Sequence, residues 1–523
     1  MENNRAEKPS RRRKRPESSV DKLVADAFNL DIPTAPRPKL RFLDEMSIAL
    51  LREKTFALLE EYGVAVIHEY AYSALLKAGA KQSSTPDRLR LPRELVKEAL
   101  AQTPKETTLC GLSEKFDMHL PREDGGFIMR TGTGGHGYVD PRDDSYRKLD
   151  LQAVDDIAAV ASGLDNIGFI AHPFVHGVPE VTSDIHSYGR LRARTNKHCW
   201  MQPYQKENTE YLMKIAAIAA GGEAELRARP NSSVITTSFT PLEFKYMDTE
   251  VIVQAGKFGI PIHACSLPSG GGTAPLSAAG MVLMGAAEIL GMMTMANIVS
   301  PGTPVIATPL MFTLDMRTGS ALQSCVESQQ AASMAVQLMG EGFGMMTHTY
   351  GAGSDTPDAD HQSMAERTML AETIALSGAD ILGGVGQLET ATVFSPVQAV
   401  LDNEIGSMLR RFIRAPEVCD AAFNWDEVSN IRIGGHFLDS PHTISVCRDQ
   451  VIPDVFLRDD RGDYEKSGRR TAFDAAREKA LLLIKRAPEE GMLSEDQNVE
   501  ITKLQRHADK HIVAAYSGKV DVI

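Results

Sequence analysis

The chain has few cysteines for its length, and none of them form a CxxC pair. Six cysteines are scattered through 523 residues. The sequence also lacks a phosphate-binding P-loop, a nucleophile elbow and the HExxH motif of zinc proteases, which makes these enzyme classes poor explanations of the chain. Scattered, unpaired cysteines are typical of free thiols in a reducing compartment, so we expect a cytoplasmic protein.

Positive charge is outnumbered by negative charge, with 56 Lys and Arg against 69 Asp and Glu. The net charge of −13 argues against nucleic acid as the main partner. The one basic cluster, Arg11–Arg15, lies in a polar stretch, and we expect residues 1–38 to form a disordered basic tail. A localisation signal or a nucleic-acid patch is the alternative for this cluster. We find no apolar stretch suited to span a bilayer and no apolar core of a secretory signal, so we expect no membrane association.

What the chain does have is a strand-and-helix pattern that occurs eight times. A short apolar run is followed each time by a longer stretch with helical periodicity. Eight such units over roughly 250 residues predict an α/β fold, a (β/α)8 TIM barrel, over residues 127–414. The runs are Phe127–Thr133, Ile167–Phe174, His198–Tyr204, Ser232–Phe239, Ile260–Leu267, Pro304–Phe312, Gly344–Tyr350 and Asp380–Leu388.

Both ends of the predicted barrel carry extensions. Residues 39–126 show helical spacing and a short strand candidate, Val64–Ile67, so we expect a small α/β domain there. Residues 415–523 are charged and helical in pattern, and we expect a C-terminal helical extension. The stretch Ala274–Val299 is rich in Gly, Ala and Met, which predicts close packing against the sheet or against a second subunit.

Aromatic residues make up only 6% of the chain, yet they gather where the predicted strands end. Barrel chemistry takes place at these strand ends. Several aromatic faces around a cavity suit a cation without acidic protons, such as a methylated ammonium, although the same residues could simply fill the top of the barrel. The candidate substrate-binding residues here are His172, Phe174, Gln202, Tyr204, Phe239, Phe312 and Tyr350, and His348 lies beside them.

Two other residue sets allow different chemistry. Glu389 ends the eighth run, and a carboxylate there would balance a cationic substrate. His263 and Cys265 lie on one side of the fifth run because strand side chains alternate, and they could bind zinc if a third ligand joined them. That ligand would come from His198, Cys325 or His348.

Several segments resemble the trimethylamine methyltransferase family. The resemblance is strongest in His361–Arg414 and continues into Gly434–Thr443, with further matches in LLREKTFALLEEYGVAVIH, RLPRELVKEAL and TGTGG. It covers roughly residues 40–490 and implies a TIM barrel. It also implies transfer of a methyl group from a methylated amine to the cobalt of a partner corrinoid protein, in a homo-oligomeric enzyme with no permanently bound cofactor and no metal of its own.

One departure from the family narrows the substrate. Archaeal members that demethylate trimethylamine use pyrrolysine, whereas this chain has only standard residues, with Tyr350–Pro357 the segment where the replaced position is expected. A quaternary amine already carries a good leaving group. We therefore expect glycine betaine, proline betaine or a carnitine-like compound, in a role comparable to one-carbon metabolism in methanogenesis.

The resemblance and the residues together suggest roles for the site. Glu389 would be a charge partner of the ammonium and His348 would orient the substrate, so these two are the expected catalytic residues. The substrate carboxylate would bind Arg130, Arg317, His172 or His348. Two alternatives stay open at this point: a zinc-dependent methyltransferase, and a non-catalytic betaine-binding protein on the same barrel.

Overall fold

The computed structural model describes residues 39–132, 135–415 and 418–516. The predicted basic tail of residues 1–38 lies outside the described residues. The described chain divides into two compact units. The larger one, called the main unit below, comprises residues 39–413 and 451–516, and the smaller one lies within residues 414–450.

The centre of the main unit is an eight-stranded parallel barrel, as the sequence predicts. Strands that are consecutive in the chain lie side by side in the barrel, and the first strand, β1 (Ile128–Thr131), pairs with both β2 (Ile167–Ala171) and β8 (Ile381–Val385). The ring closes between β6 (Val305–Pro309) and β7 (His348–Tyr350), where the Ala307 N–H donates to the Met346 carbonyl at 2.9 Å. In chain order the strands are β1 Ile128–Thr131, β2 Ile167–Ala171, β3 His198–Met201, β4 Ser232–Thr237, β5 Ile262–Ser266, β6 Val305–Pro309, β7 His348–Tyr350 and β8 Ile381–Val385.

A helix follows each strand and covers the outside of the barrel. Several of these helices begin at a side-chain cap: Asp150, Asp360 and Ser395 each accept a backbone N–H of the first turn. The prediction that Ser395 caps the last helix, with Pro396 at its first position, is confirmed. The helices are α1 Leu151–Ser162, α2 Ser183–Arg194, α3 Asn208–Ala220, α4 Tyr246–Phe258, α5 Ala278–Val299, α6 Val326–Gln337, α7 His361–Ser377 and α8 Pro396–Phe412.

All eight strands are shorter than the apolar runs that predict them, and at two of them a glycine marks the difference. Gly344 has a left-handed backbone (φ +63°) and closes the turn after α6, so β7 begins only at His348. The last run is interrupted at Gly386 (φ +79°), after which Gln387–Leu388 forms a separate short strand. Glycine adopts these backbone angles without a Cβ clash, and each one turns the chain out of the sheet direction.

Elements outside the barrel complete the main unit. The segment before the barrel contains helices and short strands, and its strand Val64–Val66 pairs in parallel with Glu243–Phe244 of the barrel connections. The predicted domain boundaries at residues 126 and 414 stay predictions. The helices and strands before the barrel include Glu45–Ala57, Leu58–Tyr62, Val64–Val66, Glu69–Lys77, Lys81–Gln82, Arg88–Arg90, Arg93–Gln102, Thr107–Leu109 and Met118–Leu120. The helices after residue 451 are Arg461–Lys466, Ala472–Arg486, Glu495–Ala508, Asp509–Val513 and Ala514–Tyr516.

The smaller unit consists of short helical pieces, Asp420–Phe423, Trp425–Asn430, Pro441–Val446 and Cys447–Asp449. Within its described residues 418–450 every side chain is exposed or half-buried.

Helix α5 corrects one expectation from the sequence. From the sequence we expect no stretch that could span a bilayer. Among the described residues, however, α5 is long and apolar enough to cross a membrane, by length and composition only. In this structure 72% of its most apolar window is buried. A mostly buried apolar helix is typical of a protein core, and the small side chains of α5 do pack closely here: Gly291, for example, lies against the ring of Phe244.

A buried ion pair holds the turn after β8. Arg367 of α7 donates from Nη1 to both carboxylate oxygens of Asp402 on α8, at 2.8 and 2.9 Å, and both side chains are buried. The same pair also holds the backbone: Asp402 accepts the Gly386 N–H at 2.8 Å, and Arg367 Nη2 donates to the Gln387 carbonyl at 2.6 Å. The exit of the last barrel strand is therefore fixed by charge-assisted hydrogen bonds.

Replacing Asp402 with Ala should lower the free energy of unfolding by about 3–5 kcal/mol, because it leaves the Arg367 charge buried without a partner. Urea denaturation measures this loss. Glu210→Ala is the matched control, since it removes the exposed pair with Lys214 (2.9 Å) and should cost less than about 1 kcal/mol. Equal losses in the two variants would contradict a structural role for the buried pair.

Candidate functional site

The interior of the barrel is polar. Because strand side chains alternate, residues two apart on one strand share a face, and here His198 and Trp200 do so, as do His348 and Tyr350. The ring of Trp200 lies 5.5 Å from that of His263 and 5.6 Å from that of His348. Branched aliphatic residues dominate most barrel interiors of this fold, so a gathering of buried histidines marks a candidate site.

Arg130 of β1 carries a positive charge inside this interior. The side chain is fully buried. Its Nε donates to His348 Nε2 at 2.8 Å and its Nη1 donates to the Thr131 carbonyl at 2.6 Å. The third nitrogen, Nη2, has no hydrogen-bond partner among the described residues. A buried guanidinium whose hydrogen bonds go to neutral groups is costly, so this atom is open to an anionic ligand.

Two aromatic rings and a glycine surround the guanidinium. Its central carbon lies 3.9 Å from the ring centroid of Trp200 and 5.8 Å from that of Tyr350. Burial lowers the pKa of Arg130 to about 10, and the neighbouring Tyr350 opposes this shift, so the group stays charged at neutral pH. Gly383 of β8 makes the room: a Cβ there would lie 2.9 Å from both Arg130 Nη2 and His348 Nε2.

The histidines beneath Arg130 are connected by hydrogen bonds. His348 Nδ1 lies 3.2 Å from His263 Nδ1, and Ser233 Oγ lies 3.0 Å from His263 Nε2 and 3.0 Å from His198 Nε2. All four side chains are fully buried. Burial lowers the pKa of His198 to about 3 and holds the pKa values of His263 and His348 well below the usual range, with the Arg130 charge adding to the latter two. At neutral pH these imidazoles are uncharged.

A second group of side chains lies at the ends of β2 and β3. The rings of Phe174 and Tyr204 are 5.0 Å apart, and His172 is 5.8 Å from Tyr204. His172 Nε2 accepts the backbone N–H of Gln202 at 2.9 Å. Burial lowers the pKa of His172 to about 4. Asp184 accepts the Tyr204 backbone N–H at 2.8 Å, and burial raises the pKa of this carboxyl to about 7.

The structure brings some predicted site residues together and leaves others apart. Phe312 and Tyr350 meet edge to face at 6.2 Å, in addition to the cluster of Phe174 and Tyr204. Phe239 is 55% exposed, and the ammonium of Lys245 lies 3.4 Å from its ring centroid.

The predicted charged residues lie nearer the surface. Arg317 has an 89% exposed side chain and pairs with Asp315 at 3.2 Å. Glu389 is exposed, in a turn where it and the next two residues have left-handed backbone angles.

The residues considered for zinc do not form a ligand set here. Among the described residues no group of three or more His, Cys, Asp or Glu side chains is placed to hold a metal ion. Both ring nitrogens of His263 already have hydrogen-bond partners, and Cys325 lies beside Ser328 Oγ at 3.2 Å.

Sequence reasoning missed three residues of this interior: Trp200, Ser233 and Gly383. It concentrated on the residues that close each strand, whereas these lie one or more positions earlier. Strand alternation was the available signal, since His198 and Trp200 share a face, as do His263 and Cys265.

Known proteins with similar sequences point to one family. The chain matches the family model described as trimethylamine methyltransferase over residues 5–509. It is 29% identical over 405 residues to the trimethylamine methyltransferase MttB1 of Methanosarcina acetivorans, covering 76% of this chain and 81% of the relative. It is 27% identical over 412 residues to the glycine betaine methyltransferase of Desulfitobacterium hafniense, covering 78% and 84%.

Among solved structures, the monomethylamine methyltransferase of Methanosarcina barkeri matches with a TM-score of 0.52 at 13% identity, covering 88% of this chain and 92% of that one. At this identity the likeness supports the fold alone.

The buried histidines predict a loss of stability in acid. His172 has a pKa of about 4 in the folded protein and an ordinary value in the unfolded chain, so between about pH 6.5 and 4 only the unfolded state takes up its proton. Its contribution is therefore lost as pH falls through that window, by up to ~1.4 kcal/mol per pH unit. The His172→Gln variant, which offers an oxygen in place of Nε2, should show a shallower loss in urea denaturation between about pH 7 and 5. His361→Gln, an exposed control on α7, should keep the wild-type slope; an unchanged slope in His172→Gln would contradict the assignment.

Proposed function

Because this chain belongs to the trimethylamine methyltransferase family and is a methyltransferase, we propose that its methyl donor is a quaternary amine that also carries a carboxylate. Glycine betaine, proline betaine and carnitine-like compounds have both groups. The methyl acceptor in this proposal is the Co(I) centre of a corrinoid carried by a partner protein. The barrel interior would hold the donor, and the partner would bring the acceptor to the barrel mouth.

The observation that carries this proposal is the buried guanidinium of Arg130. Its neighbours are neutral, and its Nη2 has no partner among the described residues. A carboxylate would supply both the missing negative charge and the missing hydrogen bond, as one oxygen pair can accept from a guanidinium fork. A plain methylamine such as trimethylamine has no such group and would leave the charge unbalanced. The geometry therefore favours a betaine over a simple amine.

The aromatic residues supply the other half of the ligand. An N-methylated ammonium cannot donate hydrogen bonds and is stabilised by aromatic faces. The contacting rings of Phe312 and Tyr350 would form one wall of the site and those of Phe174 and Tyr204 another, with Glu389 as the proposed charge partner of the ammonium. His348 accepts a hydrogen bond from the Nε–H of Arg130, and it would orient the substrate through that guanidinium.

Neutral histidines suit a transfer that needs no proton. When the N–CH3 bond of a quaternary ammonium breaks, the electron pair stays on nitrogen, so the nitrogen of the product is neutral and needs no proton. The reduced cobalt of the partner's corrinoid would supply the electron pair for the new bond to the methyl carbon. The protein then binds the donor, orients its N–CH3 bond and excludes water, an effect that can lower a barrier by up to about 7–11 kcal/mol. No acid is required of His348 or His263, whose pKa values lie well below the usual range, so both imidazoles are uncharged at neutral pH.

The reaction is tested by mixing the enzyme anaerobically with chemically reduced cobalamin and a panel of amines. The absorption spectrum of methylated cobalt should form with a betaine and not with trimethylamine. Formation with trimethylamine alone would overturn the substrate class. If betaine binds tightly but no methyl group is transferred, either to free cobalamin or to a co-purified corrinoid protein, the result would favour a non-catalytic binding protein. Light scattering of the same preparation tests the predicted homo-oligomer.

Replacing Arg130 with Gln should weaken glycine betaine binding by about 10–100-fold, the loss expected for a hydrogen bond to a charged group. Binding of choline, which has the same trimethylammonium group and no carboxylate, should change little. Calorimetric titration measures both ligands. Arg317→Gln is the matched control because Arg317 is exposed and paired with Asp315. Equal losses for betaine and choline in the Arg130 variant would contradict a carboxylate contact.

Replacing Phe312 with Ala should raise the dissociation constants of both betaine and choline, because one aromatic face is lost; about 0.5–2 kcal/mol corresponds to a 2- to 30-fold change. Tyr350→Ala should do the same and should also weaken the betaine preference, because Tyr350 neighbours Arg130. Phe239→Ala makes a useful comparison, since its ring already faces Lys245 and a smaller effect is expected. Normal binding by the first two variants would exclude them from the cage.

A further inference from the structure

One continuous hydrogen-bonded chain runs from Arg130 across the floor of the barrel. It passes through His348, His263, Ser233 and His198 and ends at the backbone carbonyl of Cys110. The five donor–acceptor distances are 2.8, 3.2, 3.0, 3.0 and 2.8 Å. Every side chain in this chain is fully buried. The strands β1, β7, β5, β4 and β3 each contribute one member.

The Arg130 end sets the direction of each hydrogen bond. A guanidinium has only donors, so His348 Nε2 must be the bare, accepting nitrogen. A neutral His348 then carries its proton on Nδ1 and donates to His263 Nδ1. His263 in turn carries its proton on Nε2 and donates to Ser233 Oγ. The serine hydroxyl donates onward to His198 Nε2.

The far end requires the same direction independently. The carbonyl of Cys110 can only accept, so His198 must carry its proton on Nδ1 and leave Nε2 bare. The donor-only end and the acceptor-only end therefore agree, and one arrangement of protons satisfies all five bonds. A proton added to His263 would set two N–H groups against each other across its 3.2 Å contact with His348, and a proton added to His348 would do the same across its 2.8 Å contact with Arg130.

From this agreement we propose that His348, His263, Ser233 and His198 form a relay that positions the Arg130 guanidinium for the substrate carboxylate, with Ser233 as its central positioning residue. The inference rests on the proposed function for the identity of the ligand. The relay acts on Arg130 through His348 and touches no substrate itself.

The relay explains how Arg130 is held while its charge stays available. A carboxylate partner would fix the guanidinium but would neutralise it. A chain of neutral imidazoles fixes Nε and, because each bond polarises the next, stabilises the cation without balancing it. The relay contacts only Nε, and Nη2 has no hydrogen-bond partner among the described residues.

Ser233 is the link that an apolar substitution breaks. A hydroxyl both donates and accepts, which the two flanking Nε2 atoms require, since one carries a proton and the other does not. With Ala at this position the His263 N–H would lose its acceptor and His198 Nε2 its donor. His263 would then be free to move its proton to Nδ1, which would displace the His348 proton and the bond to Arg130.

The test compares Ser233→Ala with Ser232→Ala, the neighbouring buried serine on β4, whose hydroxyl bonds Tyr188 instead (2.7 Å). Ser233→Cys, which keeps a weak donor and acceptor of similar size, is the rescue variant. The ligand-free enzyme is labelled with 15N-histidine and 15N-arginine, and NMR reads the protonated nitrogen of each imidazole and the Nε–H of Arg130. Calorimetry then gives the affinities for glycine betaine and choline.

In the wild type and in Ser232→Ala we expect Nδ1–H on His198 and His348, Nε2–H on His263, and a protected Nε–H on Arg130. In Ser233→Ala the His263 proton should move and the Arg130 signal should lose its protection. Betaine affinity should fall on the order of tenfold, as when an outer hydrogen-bond partner of a metal-binding group is removed, and choline affinity should not change. Ser233→Cys should restore part of both.

A proton on His263 Nδ1 in the wild type, or unchanged betaine affinity and Arg130 protection in Ser233→Ala, would overturn the relay. Failure of the proposed function looks different: no betaine would bind the wild type, while the ligand-free NMR pattern and its loss in Ser233→Ala would remain.

Discussion

A buried positive charge without a carboxylate partner is the constraint on which the barrel interior depends. Arg130 is fully buried, and its hydrogen bonds go to an imidazole and a carbonyl. Such a charge lowers stability unless its surroundings are fixed, which explains why a polar floor of histidines replaces the usual aliphatic filling. The protein keeps this arrangement at a cost in stability, as binding sites commonly do.

The backbone is shaped around that charge. Gly383 leaves the space into which Arg130 Nη2 and His348 Nε2 fit, and no residue with a Cβ could take its place without moving them. Just beyond it, the pair of Arg367 and Asp402 fixes the peptide groups where β8 leaves the barrel. The inner side of β8 is therefore determined by the close approach of Arg130 and His348 to Gly383. Its end is determined by the buried ion pair of Arg367 and Asp402.

The barrel could be predicted from the sequence because its signal repeats eight times, and an error in one run does not change the count. Its errors concern the strand ends: all eight strands are shorter than their runs, and at Gly344 and Gly386 a glycine turns the chain, because a run of apolar residues does not show backbone angles. The site was harder to predict. Arg130 was one of several arginine and histidine candidates, because burial distinguishes it from Arg317 only once the fold is known. Trp200 and Ser233 contact residues on other strands. Those contacts depend on the register between strands, which the sequence of a single run does not determine.

The contact between Arg130 and Trp200 also gives the enzyme an optical reporter. The chain has only two tryptophans. Trp200 is fully buried under the guanidinium, at 3.9 Å, whereas Trp425 is 64% exposed. A buried indole emits at shorter wavelength than a solvated one, so the two signals separate in one spectrum. Any ligand that shifts the charge above Trp200 changes the short-wavelength component, and the emission of Trp425 serves as an internal reference.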